Sequence, residues 1–139
     1  MAGYSKRPLL DKLGVKPGFR IAIVSEPRGY AQTLGPLPAG ATRVRSLRGP
    51  LDLVQVFARE AAALSARGAA LRAALAPAGA LWISWPKKAS GVPTDLDESA
   101  VRSIGLSLGL VDVKVCAVDE VWSGLKFVVR LRDRQAPPI

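Results

Sequence analysis

The 139-residue chain predicts an α/β fold, a single compact domain whose mainly parallel sheet is flanked by helices and ends in an antiparallel hairpin. Three observations lead there. The runs "RIAIVSE", "LDLVQVF" and "ALWISW" are almost continuously apolar, as strands buried on both faces are. Helical patterns follow the second and third of these runs. Two alternating runs close the chain, joined by the short polar connection "DEVWSG".

Residues 1–18 are polar, with Pro8, Pro17 and Gly18, and are expected to form an irregular arm with at most one short turn. Arg20 to Glu26 is the first strand. Three prolines and three glycines between Pro27 and Gly40 keep any helix there short. "TRVRSL" alternates, placing Arg43 and Arg45 together on a solvated face, so an edge strand is expected over 42–47. After Gly49 and Pro50, Leu51 to Phe57 reads as a central strand.

Leu64, Leu71 and Leu75 mark one face of a helix predicted over 60–76, ended by Pro77 and Gly79. Ala80 to Trp85 is the next central strand. Asp95 followed by Glu98 matches a capping box, predicting a helix over 96–108 with Gly109 as its stop. The last strands are predicted over 111–118 and 125–132, with Trp122, Ser123 and Gly124 in the turn between them. Residues 19–133 thus form a Rossmann-like domain, and 134–139 read as a flexible tail.

Composition bounds the chemistry. The single cysteine, Cys116, permits no internal disulfide, and there is no histidine. Ser-His-Asp and Cys-His catalysis and a Cys/His zinc site are therefore excluded. Cys116, in an apolar strand with no histidine to activate it, reads as an inert thiol. No export signal is evident at the N-terminus. The uncharged stretch from Ala73 to Pro86 is broken by Pro77 and Gly79 and falls short of the ~18 apolar residues of a membrane span. A cytoplasmic location away from the membrane is expected.

The net charge of +9 is uneven: residues 1–50 carry nine Lys/Arg against two acids. Such asymmetry suggests an anionic partner, a nucleic acid or another polyanion, or else an ordinary solvated surface. Arg43, Arg45 and Arg48, with Lys6, Arg7, Lys12 and Lys16, are the candidates for phosphate contact. The loop "WPKKASGVPTDLDE" raises a second question. Lys87, Lys88, Ser90 and Thr94 could hold an anion there, or the loop could be a plain strand-to-helix connection. Asp95, Asp97 and Glu98 already occupy the helix start, which favours the connection.

The element order, with "VKPGFRIAIV", "LDLVQVF" and "LRAALAPAGALWISWP", resembles the class I methyltransferases that use S-adenosylmethionine, over roughly residues 16–132. That resemblance implies a cofactor loop after the first strand, around Ser25, Glu26, Arg28 and Gly29, with Trp85 near it. In the family the loop is G-x-G-x-G, and here "SEPRG" keeps only its last glycine. The family's ribose-binding acid at the end of the second strand is replaced by Leu47 and Arg48. "WPKKASGVPTDL" and "VDVKVCAVDEVWSGLKFVVRL" are also similar to a family of small bacterial proteins catalogued as a domain of unknown function.

The expectation from sequence is a non-catalytic module, without cofactor, that binds an anionic ligand, a nucleic acid or a protein partner. A methyltransferase with an atypical S-adenosylmethionine loop is the first alternative. A structural subunit of a homo-oligomer is the second.

Overall fold

In the computed structural model, residues 8–134 are described. Six strands form one sheet in the order β2-β1-β3-β4-β6-β5. β2 (Thr42–Arg43), β1 (Arg20–Val24), β3 (Leu51–Phe57) and β4 (Leu75–Pro86) run parallel, and β6 (Trp122–Val129) and β5 (Leu110–Ala117) complete the sheet antiparallel. The mixed α/β architecture expected from the sequence is the one observed.

Helices cover both faces. α3 (Ala61–Ala73) and α4 (Glu98–Ser107) pack on one side, where Val54, Leu64, Leu71, Leu81, Val101 and Phe127 share a core. On the other side lie α1 (Leu9–Leu13) and α2 (Tyr30–Leu34), over Ile21, Leu53, Phe57 and Trp82. With both faces covered, β3 buries every residue but Asp52. Even its polar Gln55 is wholly enclosed, accepting from the Tyr30 hydroxyl at 2.6 Å and donating to Ser84 Oγ at 3.2 Å. The buried pair is satisfied because each polar atom meets a partner.

Several expectations are corrected. Within the predicted arm, α1 packs on the sheet, with Leu13 and Val15 buried. Residues 1–7 and 135–139 of the predicted arm and tail lie outside the described residues. The edge strand expected over 42–47 shrinks to Thr42–Arg43, and the helix expected to reach residue 76 stops at Ala73. Pro77 and Gly79 do not precede the next strand but lie inside β4. They occupy the irregularity where the register slips from Leu51↔Leu75 to Leu53↔Ala80, a place where a lost N–H donor is tolerated.

The capping box is also different. Asp97 is the N-cap of α4, accepting from Ala100 N at 2.8 Å. Asp95 instead caps the neighbouring helix, accepting from Ala61 N at the start of α3 at 2.8 Å. Trp122, Ser123 and Gly124 are not turn residues but open β6, and the turn falls on Asp119, which accepts from Val121 N and Trp122 N. Among the described residues no helix is long and apolar enough to cross a membrane.

Candidate functional site

β1 and β3 are paired neighbours, but the chain leaves β1 for α2 on one face of the sheet and leaves β3 for α3 on the other, so the two connections part beyond the strand ends. In open α/β sheets this switch point, beyond the carboxyl ends of the strands, is where ligands bind. A cleft of about 410 Å³ opens there, within the usual size of a small-molecule site.

One wall is the turn after β1. Ser25 has φ 60°, and Gly29, the residue that caps α2, has φ 82°. Left-handed backbone is natural for glycine and costly for a side-chain-bearing residue. The serine therefore holds a backbone conformation that glycine adopts without cost. Pro27, also in the wall, has no N–H to offer a ligand.

Glu26 stands at the same wall and is paired with Arg43 of β2. The Arg43 guanidinium donates to both carboxylate oxygens, Nη1 reaching Oε2 at 3.1 Å, and its Nη2 also donates to the Ile23 carbonyl at 3.4 Å. Because β2 ends at Arg43, the residue at the tip of this strand is Arg43 and not the Leu47–Arg48 pair expected from sequence.

The opposite wall follows β3. Phe57 ends the strand, Arg59 and Glu60 lead into α3, and Arg67, about two helical turns further on, reaches back over the cleft. Arg67 Nη1 donates to Ser25 Oγ at 3.2 Å. Trp122 closes the third side, its ring edge-on to Phe57 with centroids 5.0 Å apart. The cleft combines an aromatic corner, two arginines and two carboxylates, an arrangement suited to a ligand with both apolar and charged parts.

Of the residues expected around the cofactor loop, Ser25 and Glu26 line the cleft and Arg28 and Gly29 follow them on the same turn. Trp85 does not face it: only 5% exposed, it belongs to the core under α3 and α4. Arg43 and Arg45 flank a separate shallow hollow at the β2 edge. Arg48 precedes β3 and so lies toward the other end of the sheet. Lys87 and Lys88 follow β4, two strands away from β1. The structure does not gather these five cations into one patch.

In the loop after β4, Ser90 Oγ donates to the Lys87 carbonyl at 2.6 Å and accepts from Val92 N at 3.2 Å. Thr94 Oγ1 donates to the Arg59 carbonyl at 2.6 Å. Both hydroxyls are engaged in shaping the loop, which serves as the strand-to-helix connection. Cys116 is half-buried, and burial pushes its thiol above the ordinary value, away from the reactive thiolate. Among the described residues no cluster of three or more acidic, Cys or His side chains is placed to hold a metal ion.

Sequence reasoning missed Phe57, Arg59, Glu60 and Arg67 as cleft residues and placed Trp122 in a turn. A positional signal for the first three was present. "FARE" directly follows a central parallel strand, the segment that lines such clefts. Arg67 carries no comparable mark, since its reach depends on how α3 lies against β1.

No family profile matches the chain and no curated protein is significantly similar to it, so membership of the bacterial family suggested by the sequence is not supported. Solved structures do match. An S-adenosylmethionine-dependent methyltransferase from Aquifex aeolicus superimposes with a TM-score of 0.64 at 14% identity, covering 86% of each chain. Fibrillarin from Aeropyrum pernix, solved with S-adenosyl-L-methionine, gives 0.57 at 13% identity over 84% of this chain and 69% of that one. Magnesium protoporphyrin IX methyltransferase from Synechocystis, solved with the same molecule, gives 0.55 at 12% identity over 87% of this chain and 74% of that one. At such identities the likeness establishes the fold: the chain has the class I methyltransferase architecture.

Proposed function

We propose that the cleft between β1 and β3 binds a nucleoside of the S-adenosylmethionine class and that the chain acts in methyl transfer. The observation that carries this reading is the turn after β1. Ser25 and Gly29 have left-handed backbone at the mouth of a cleft of about 410 Å³, although Ser25 and Pro27 stand where the family it resembles has glycines. The likeness to solved methyltransferases supports it.

The residues present fit such a ligand in kind. Arg59 and Arg67 would take a carboxylate, the strongest partner for a guanidinium. Glu26 would accept from hydroxyl or ammonium groups. The faces of Trp122 and Phe57 would favour a cation by quadrupole attraction. S-adenosylmethionine supplies, when bound, an electrophilic methyl group. The protein's part is to orient that ligand and an acceptor and to exclude water between them, for which alignment alone is effective. With no histidine in the chain, proton removal from the acceptor falls to Glu60 or to solvent, which suits an acceptor that is already nucleophilic.

The test is calorimetric titration with S-adenosylmethionine and S-adenosylhomocysteine, beside native mass spectrometry of gently purified protein. Saturable binding that Arg67→Ala weakens at least ~10-fold is expected, the loss of one charge-assisted contact. Flat titrations with both compounds, and no copurifying nucleoside, would end this reading. They would leave a cytoplasmic, non-catalytic module in which Arg59 and Arg67 hold some other anion or an acidic partner.

A further inference from the structure

Four lysines from two distant parts of the sequence meet on the α1 side of the sheet. Lys114 of β5 and Lys126 of β6 are direct cross-strand partners, and Lys126 is in turn opposite Trp82 of β4. Residues directly opposite each other share a face, so both lysines stand on the side that α1 covers. There Gly14, which ends α1, lies so close to the Lys126 ammonium that a Cβ at Gly14 would sit 3.4 Å from it. Lys12 spans the same gap, its Nζ donating to the Ala117 carbonyl at 2.6 Å, and Lys114 Nζ approaches the Lys12 carbonyl at 3.4 Å. Lys16 follows directly on the α1 turn and is exposed, as is Lys114.

Like charges set directly opposite each other oppose folding. Burial lowers the Lys126 ammonium below its ordinary value, and the charges of Lys114 and Lys16 lower it further. No carboxylate contributes to that balance. Asp112, the nearest acid along β5, is paired to Arg102 of α4 at 2.9 Å, and its cross-strand partner Phe127 belongs to the other core. Asp11 is exposed and is the one acid of α1. Among the described residues, no carboxylate is ion-paired to Lys16, Lys114 or Lys126.

We propose that Lys16, Lys114 and Lys126 form a binding site for a phosphate oxyanion, separate from the cleft. Ammonium groups are point charges on flexible stems, suited to phosphate without demanding one planar geometry. Two of the three are exposed, so the phosphate can be free or can belong to the phosphodiester backbone of a nucleic acid. In either case it supplies a negative charge to set against these three cations.

The experiment compares the full chain with Lys114→Gln and Lys126→Met, the second keeping the apolar stem against the sheet. Thermal unfolding is followed with sodium pyrophosphate against sodium chloride at equal ionic strength. Binding of a fluorescein-labelled single-stranded RNA is followed by polarisation over a salt series. If phosphate is held, pyrophosphate raises the parent's midpoint and raises neither variant's. If the source is a nucleic acid, each variant also weakens the RNA at least ~10-fold and lowers the salt slope by about one. A pyrophosphate response lost in the variants with RNA binding unchanged assigns the site to a free phosphate. Pyrophosphate and RNA responses that are the same in all three proteins overturn the proposal.

Discussion

Arg67 and Ser25, 42 positions apart in sequence, are joined by a 3.2 Å hydrogen bond that bridges the two walls of the cleft. The bond fixes a serine whose φ of 60° belongs to glycine. Two substitutions separate conformation from contact. Ser25→Val places a β-branched residue in left-handed backbone and is expected to destabilise by ~1–3 kcal/mol. Ser25→Gly relieves the strain but frees the unfolded chain, leaving stability within ~1 kcal/mol of the parent. It should also tighten S-adenosylmethionine. Thermal melts and titrations check both, and equal losses from the two variants would mean that backbone conformation at residue 25 is not what matters.

Asp95 caps α3 across the loop from its own helix, so Asp95→Ala should cost ~1 kcal/mol although the sequence around α4 is otherwise intact. Asp97→Ala removes the true cap of α4 and should cost a similar amount. Urea titrations with unchanged slopes measure each directly, and the double variant should show the sum, because the two caps serve different helices.

Gly105 is where α4 lies against the sheet. A Cβ there would stand 2.0 Å from the Phe127 ring, which is fully buried and cannot swing aside. Gly105→Ala should therefore destabilise by ~1–3 kcal/mol by overpacking, even though alanine is the better helix former. A stabilised variant in chemical denaturation would show that α4 can move off the sheet.

Tyr30 gives a pH dependence. Burial raises its phenol above the ordinary value, outweighing the opposing hydrogen bond to Gln55. The folded state holds this proton more tightly than the unfolded state. The stability it contributes is whole below the unfolded value of about 10 and declines as pH rises above it. Alkaline unfolding monitored by circular dichroism should show this decline in the parent and a shallower one in Tyr30→Phe. At neutral pH the same variant leaves Gln55 without its donor, at a cost of ~1–3 kcal/mol.

The strands were legible because burial on both faces writes itself as a nearly unbroken apolar run, as in "LDLVQVF", where only Asp52 and Gln55 depart from the pattern. Both long helices and the antiparallel finish were legible from spacing. Asp95 misled because a capping motif shows which groups can cap and not which helix end comes within reach. Pro77 misled because a proline inside a strand is allowed only at an irregularity, and register is a property of two strands. The candidate site was half legible for the same reason. Ser25 and Glu26 follow a strand, but Arg67 enters only once α3 is laid against β1. Likewise Lys114 and Lys126 become neighbours through the hairpin register, which no single stretch of sequence displays.

The indole of Trp82 is fully buried in the middle of the sheet, and its N–H donates to the carbonyl of Leu13 at 2.9 Å, a link across 69 residues. This gives the molecule an internal optical clock. Trp82 acquires its final surroundings only when α1 docks, whereas Trp85 is enclosed by the helices of the opposite face. With Trp85 and Trp122 replaced by phenylalanine, the emission of Trp82 during refolding times the arrival of the N-terminal segment. Because the two partners are 69 residues apart, closing the chain between them costs more entropy than forming the β5–β6 hairpin, and Trp82 emission is expected to change after the hairpin signal.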